Sequence, residues 1–438
     1  MKQIMGRKIV SPGYHWEALS RAGCGVGLPD LSPPGRNGWC RVLLGHGGYR
    51  AAVGLLLLAV GAKAQEPAEQ ARAAVDRAVH EGIATGVYPG AVVVIGRHDG
   101  VIYQRGYGHF TWSAGSPVPD PDSSLFDLAS LTKVVATLPA VMKLVELGAI
   151  DLDRPVQSYL PEFRGAGKEA VTVRHLLAHT SGLRAFLPLH QLASDAASAR
   201  RLVLEEPLRW PPGSRVEYSD LNAMLLGWIV EAVSGSTLDR FVLEIYRELG
   251  MNQTRFNPPR SLWGRVVPVG AWRGTPVAGK VHDQNAARLG GVAGHAGLFS
   301  TGKDLARYAR FLLGALSGEE CGPLRGSTVE LFARPAAGNR ALGWEMNDTT
   351  TADNSGSLLS PGAFGHTGFT GTLIWIDPAA DLFVVFLTNR VYSPRTSRSI
   401  SKLKEIRARV TDAAATLRGT LPVADRGGRR PALGARCR

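Results

Sequence analysis

Ser130 and Lys133 stand three residues apart in Ser130-Leu131-Thr132-Lys133. On a helix that spacing puts both side chains on one face of the same turn, close enough for their ends to meet. A hydroxyl beside an amine is a nucleophile beside a base. The amine can take the serine proton only when it is substantially neutral, a state that burial at a closed helix end favours by penalising the charged form. Both residue types are common, so the pair gains weight only from its companions. Tyr218, in Tyr218-Ser219-Asp220-Leu221-Asn222, follows the turn Trp210-Pro211-Pro212-Gly213 and precedes a helical run, where a phenol can relay a proton. Gly365-His366-Thr367-Gly368-Phe369-Thr370-Gly371 leads into an apolar run. Glycines at a strand edge admit a substrate backbone, and free N–H groups there can hold an oxyanion.

The elements that must position these residues are readable from periodicity. Leu131, Val134, Val135, Leu138, Val141, Met142 and Val145 predict one amphipathic helix, stopped by Gly148 and kinked at Pro139. Upstream, Glu66 to Thr85 reads as a helix, and Ala91–Arg97 with Val101–Tyr107 as a hairpin about His98-Asp99-Gly100. From about 151 to 260 the pattern is helical, broken by prolines, which predicts an inserted all-helical subdomain. Gly371–Ile376 and Leu382–Asn389 read as a second strand pair, and about Arg398–Leu417 as a last helix. Strands at both ends with helices between predict an α/β (α+β) chain, an antiparallel sheet of distant segments flanked by helices.

The net charge of +13 over 438 residues resembles a nucleic-acid footprint until it is divided along the chain. Residues 1–64 carry eight Lys and Arg against two acids, and residues 391–438 twelve against three, which leaves the body near neutral. No nucleic-acid partner is expected. Ala51–Val60, preceded by Arg50 and followed by Ala62-Lys63-Ala64, matches a secretory signal cleaved after Ala64 and is too short for a stable membrane span. A periplasmic or secreted protein is expected, with no packed structure in residues 1–49. Cys24, Cys40 and Cys437 lie near the ends and leave only Cys321 in the body, so no disulfide framework and no cysteine metal site is expected. His175 and His179 have the spacing of a zinc pair but lack the intervening Glu and a third ligand, so they read as structural. Gly290–Gly297 is not followed by the Gly-Lys-Ser/Thr of a phosphate loop, and no Gly-x-Ser-x-Gly elbow occurs.

Together these motifs resemble the serine β-lactamase-like family, which takes in class C β-lactamases, penicillin-binding D-Ala-D-Ala carboxypeptidases and related esterases. The likeness covers roughly residues 70–418. It is carried by Ser130-Leu-Thr-Lys133, Gly148-Ala-Ile-Asp-Leu-Asp-Arg-Pro155, Arg174-His-Leu-Leu-Ala-His-Thr-Ser-Gly182, Tyr218-Ser-Asp220, Gly294-His-Ala-Gly-Leu-Phe-Ser300 and Gly365-His-Thr-Gly368. The resemblance implies a β-lactamase/transpeptidase-like fold over residues 65–420, after the presequence 1–64 and before a tail at 421–438. It implies Ser130 as acylated nucleophile, Lys133 as proton acceptor, Tyr218 as relay, and the N–H groups of Ser130 and Phe369 as oxyanion hole. Asp220, Asn222, His366, Thr367, Gly368 and Phe369 are the implied substrate-binding residues, with no metal or organic cofactor. Asp220 stands where Asn is usual and His366 where Lys is usual, which turns the expectation from β-lactams towards peptidoglycan D-Ala-D-Ala peptides or small esters. The alternatives are a penicillin-binding sensor that acylates without turnover and a non-catalytic basic surface binder. An unperturbed histidine at 366 would make preference for carboxylate-bearing substrates rise as pH falls from roughly 8 to 5.5.

Overall fold

A computed structural model describes residues 49–272, 274–319, 321–348, 354–392 and 400–420. The expectations for residues 1–48 and for the tail from 421 lie outside the described residues. Helix α1 (Tyr49–Ala84) begins in a first compact unit, Met1–Leu57, whose described part is helical throughout. The second unit, Leu58–Arg438, holds everything else.

The strands are β1 (Gly90–Arg97), β2 (Gly100–Gly108), β3 (Pro335–Ala337), β4 (Arg340–Ala341), β5 (Glu345–Met346), β6 (Phe364–Thr367), β7 (Leu373–Asp377) and β8 (Leu382–Thr388). They form one antiparallel sheet in the order β2-β1-β8-β7-β6-β5-β4-β3. The N-terminal hairpin pairs directly with the last strand, Ala91 opposite Thr388 through Gly96 opposite Phe383. Alternation splits the central strands between two cores. Val92, Val94, Ile374, Ile376, Phe383, Val385 and Leu387 pack with α2 (Leu138–Glu146), α3 (Asp220–Ser234) and α4 (Gly302–Ser317). Ala91, Val93, Ile95, Leu373, Trp375, Val384 and Phe386 pack with α1 and with α5 (Ile400–Gly419). With both faces covered, β7 and β8 are buried along their whole length. Between 151 and 260 the elements are helical apart from the two-residue strand Arg255–Phe256, as the prolines and periodicity predict.

The segment carrying Ser130 is not the single helix that its periodicity predicts. Ala129–Leu131 is a 3₁₀ turn, Lys133–Thr137 a π-turn, and only from Leu138 does α2 run as an α-helix. Pro139 supplies the reason, because it has no N–H to give. The Leu138 N–H reaches back to Lys133 O, and the next two carbonyls would both look to residue 139 for a donor, in the π and the α register respectively. Two buried tyrosines from distant helices fill the places. Tyr308 donates its hydroxyl to Val134 O at 2.8 Å, and Tyr246 to Val135 O at 3.0 Å. Burial pushes both phenols up from their ordinary value, so they remain donors.

Cys321 is disulfide-bonded, a cross-link that the spacing of the cysteines did not point to.

Candidate active site

Ser130 sits where a small sheet, Phe126–Asp127 paired with Leu298–Ser300, delivers the chain into the 3₁₀ turn. Ala129 has φ 47°, a left-handed conformation that costs an L-residue free energy and turns the chain sharply before the serine. The Lys133 ammonium lies 3.0 Å from Ser130 Oγ, 3.1 Å from His295 O and 2.8 Å from Asp220 Oδ1. Its nitrogen is 5.1 Å from the centre of the Tyr218 ring. The carbonyl of His295 is aimed by the close seat of the preceding residue. A Cβ on Gly294 would stand 2.0 Å from Ala223 O, and Gly294 O accepts the Thr137 hydroxyl at 2.6 Å. Serine, lysine and tyrosine are therefore brought together as their motifs predict.

The protonation that the sequence suggests for Lys133 is corrected. Burial is the largest influence and acts to lower the amine, but Asp220 and Tyr218 together outweigh it and the pKa is raised overall, so the resting side chain is an ammonium. Asp220, expected at the substrate, is instead this lysine's counter-ion. Tyr218 is pushed up by burial, with Lys133 working in the opposite direction, and rests as a neutral phenol.

The motif at 365–368 lies on β6 and its turn. Along β6, strand β5 reaches only Phe364 and Gly365, so the side of His366 and Thr367 away from β7 carries no strand partner. Gly368 is required by proximity, since a Cβ there would lie 2.5 Å from Leu128 O. Thr370 and Thr372 donate their hydroxyls to Asp127 O at 2.7 Å and Leu128 O at 2.9 Å, tying this turn to the residues just before Ser130. Behind it, the buried Arg407 of α5 donates to Gly368 O and Thr372 O at 2.9 Å each. Burial lowers the Arg407 pKa to about 9. Phe369 is 59% exposed, stacks on His282 and lies under the Arg390 guanidinium, forming part of the rim.

Two further expectations change. His366 is buried, and burial followed by the charges of Lys133 and Arg340 holds it well below the ordinary histidine value. Burial therefore favours the neutral ring, which works against a carboxylate preference that depends on His366 gaining charge. Its Nδ1 lies 2.8 Å from Thr367 O and donates to it, which leaves Nε2 as an acceptor. Asn222 is fully buried and is not on the open surface. Its Oδ1 accepts the Ser181 hydroxyl at 2.6 Å and its amide nitrogen lies 3.2 Å from His179 Nδ1. His179 in turn packs on Tyr218, ring centres 4.8 Å apart, so Asn222 supports the tyrosine from behind. His175 closes a capping box with Thr172. Both histidines thus have the structural roles expected of them.

Sequence reasoning missed Asp127, Asp283 and Arg340. Asp283 caps the helix Gln284–Arg288 and lies 3.0 Å from His295 Nε2. Asp127 is buried and accepts the Ala129 N–H at 2.9 Å and the His282 N–H at 2.7 Å, clamping the left-handed residue before Ser130. A lone acid in the apolar run Leu125–Leu131 was the available signal. Burial raises Asp127 to about 6, above the value of about 3.9 for an unfolded chain. The folded state then binds more protons than the unfolded state between those values, so this group's contribution to stability is lost as pH rises through about 6. Asp127→Asn removes the titration. In urea unfolding at pH 4 and pH 7, the variant's stability relative to the parent is expected to be higher at pH 7; a difference independent of pH contradicts the assignment.

The family model described as Beta-lactamase matches residues 75–406. Among curated proteins, the chain is 33% identical over 357 residues to the "Putative D-alanyl-D-alanine carboxypeptidase" of Escherichia coli (strain K12), covering 73% of this chain and 82% of that one. It is also 33% identical over 358 residues to the N-acetylmuramyl-L-alanine amidase of Bacillus subtilis (strain 168), covering 73% and 81%. Among solved structures, a penicillin-binding protein homolog from Caulobacter crescentus superposes with TM-score 0.64 at 21% identity, over 80% of this chain and 97% of that one. EstCE1, a hydrolase with promiscuous acyltransferase activity, superposes with TM-score 0.63 at 22% identity, over 78% and 99%. The antiparallel sheet with helices on both faces and an inserted helical region agrees with these folds. On the match from residue 75 to 406 and the identity to curated relatives, the chain belongs to the beta-lactamase family.

Proposed function

We propose that the chain is an exported serine hydrolase that works through an acyl-enzyme on Ser130, with D-Ala-D-Ala peptides of peptidoglycan or small esters as substrates. The observation that carries this reading is the 3.0 Å contact between Ser130 Oγ and Lys133 Nζ inside a buried cluster with Tyr218 and Asp220. Ser130 Oγ attacks the carbonyl carbon while its proton passes to the Lys133–Tyr218 relay. Because the resting lysine is an ammonium held by Asp220, 2.8 Å away, it must first release a proton to solvent before the relay can accept the proton of Ser130. The N–H groups of Ser130 and Phe369 hold the oxyanion. The relay then protonates the leaving amine or alcohol, and water attacks the acyl-enzyme with its proton returned along the same path. The unpaired side of β6 at His366 and Thr367 receives the substrate backbone. Export rests on Arg50, the apolar run Ala51–Val60 and Ala62-Lys63-Ala64; among the described residues no single helix is long and apolar enough to cross a membrane.

The test is purified protein with an N-acyl-D-Ala-D-Ala peptide, a p-nitrophenyl ester and a chromogenic cephalosporin. Sustained release of product from the peptide or the ester is expected, with the β-lactam turned over more slowly. A single equivalent released without further turnover would instead make the protein a penicillin-binding sensor.

A further inference from the structure

Three guanidinium groups lie close around the site. Arg340 covers the Tyr218 ring, its Cζ 5.2 Å from the centre. Arg390 and Arg407 act on the main chain instead. Arg390 donates to Phe369 O at 2.7 and 3.1 Å, and Arg407 to Gly368 O and Thr372 O at 2.9 Å each. Arg407 is buried and makes no ion pair among the described residues; its side-chain acceptor there is Asn354 Oδ1, at 3.2 Å. A guanidinium buried without a counter-ion is costly, and here it is held by the carbonyls of one turn.

The peptide between Gly368 and Phe369 is trans and planar, so its carbonyl and its N–H point in opposite directions. Gly368 O is turned to α5, where it takes Arg407, and it also accepts the Gly371 N–H at 3.0 Å. Both of its lone pairs are then used. The Phe369 N–H is thereby turned away from α5, and it gives no hydrogen bond among the described residues. Gly368 itself seats against Leu128 O and Ala129, the two residues before Ser130. A positive charge at the carbonyl end also polarises the peptide and strengthens its N–H as a donor to a developing oxyanion.

We propose that Arg407 is a positioning residue for acyl transfer, aiming the Phe369 N–H from behind the turn at the place where the oxyanion forms. This rests on the proposed hydrolase reading and adds the group that keeps its oxyanion site aligned. Arg407 touches no substrate; it acts through the peptide it holds.

The experiment compares a p-nitrophenyl ester with its thionoester, in which sulfur replaces the carbonyl oxygen, in the parent, Arg407→Met, Arg407→Gln and Arg407→Lys. Sulfur accepts hydrogen bonds weakly, so the thionoester draws little from an oxyanion site. The parent is expected to favour the ester. Arg407→Met should lower kcat for the ester by about 10- to 100-fold, short of the loss of about 10²- to 10³-fold for a donor removed outright. KM should move less than about threefold, since the contact strengthens only in the transition state. The thionoester should slow much less, so that the ester-to-thionoester ratio falls by about tenfold or more. Arg407→Gln, with N–H donors but no charge, should move the ratio in the same direction, and Arg407→Lys should recover part of it. A ratio unchanged in Arg407→Met, with both substrates slowed alike, would mean that Arg407 only braces the turn, and overturns the proposal. Melting curves show which variants fold; where Arg407→Met does not, the ratio in Arg407→Gln decides by the same criterion. A parent that hydrolyses neither substrate and is not labelled at Ser130 overturns the hydrolase reading and this inference together. A parent that favours the ester, with variants that keep its ratio, overturns this inference alone.

Discussion

Ser130→Ala is expected to abolish covalent labelling by a fluorescent penicillin or a fluorophosphonate and to lower turnover by roughly 10⁴- to 10⁶-fold, the scale seen when a serine nucleophile is removed. The two serines nearest in the motifs are otherwise engaged. Ser181 is buried with its hydroxyl given to Asn222, and Ser219 is buried with its hydroxyl given to Arg184 O at 2.6 Å. Neither has an amine beside it. Ser130 is part-exposed and stands at the open end of the lysine contact. Mass spectrometry of the parent's adduct locates the labelled residue, and an adduct on Ser181 or Ser219 would end the assignment. Because Ser130 is only part-buried, the variant should melt close to the parent, which separates lost chemistry from lost fold.

The second large effect is in the relay. Lys133→Ala and Tyr218→Phe are each expected to reduce kcat/KM by roughly 10²-fold or more, a typical general acid–base contribution. The double variant should lose far less than the product of the two, since one broken link already stops proton transfer through the other. The lysine nitrogen, 5.1 Å from the phenol ring centre, is close enough for that coupling. Fully multiplicative losses would show two residues acting separately. Lys133→Ala also strands the Asp220 carboxylate without its counter-ion, so its melting temperature should fall while that of Tyr218→Phe moves little. Unfolding measured alongside the kinetics keeps the two consequences apart.

What the sequence made legible follows the reach of periodicity. The β1–β2 hairpin, the β7–β8 pair, α3 and α5 were all readable, because each has enough residues to repeat its apolar spacing. Strands β3 to β5 were not, since two or three residues establish no period. Arg340 went unseen with them, as its importance lies in facing Tyr218 and not in any motif. The π-turn at Lys133 was hidden for a different reason. Pro139 announced a disturbance, but the groups that resolve it are the hydroxyls of Tyr246 and Tyr308, far along the chain. Ionisation was the least readable of all. Ser130, Lys133 and Tyr218 were found by type and spacing, while the charge on Lys133 is set by Asp220 and Tyr218 acting against burial, and the lowering of His366 comes first from burial.

The pairing of β1 with β8, and the grip of Arg407 on the Gly368 turn, bear on how such a chain comes into being. A ribosome delivers Ser130 and Lys133 early, yet the strand that pairs with the first hairpin and the guanidinium that holds the Gly368 turn are made only much later. Until they arrive the β1 edge of the hairpin stays unpaired, and contacts between residues some three hundred positions apart must close before the sheet exists. A nascent or partly threaded chain therefore carries Ser130 and Lys133 without the assembled site around them. If the polypeptide crosses a membrane unfolded, hydrolytic capacity is switched on only at the destination, by completion of the sheet, with no inhibitor or propeptide needed to keep the travelling chain silent.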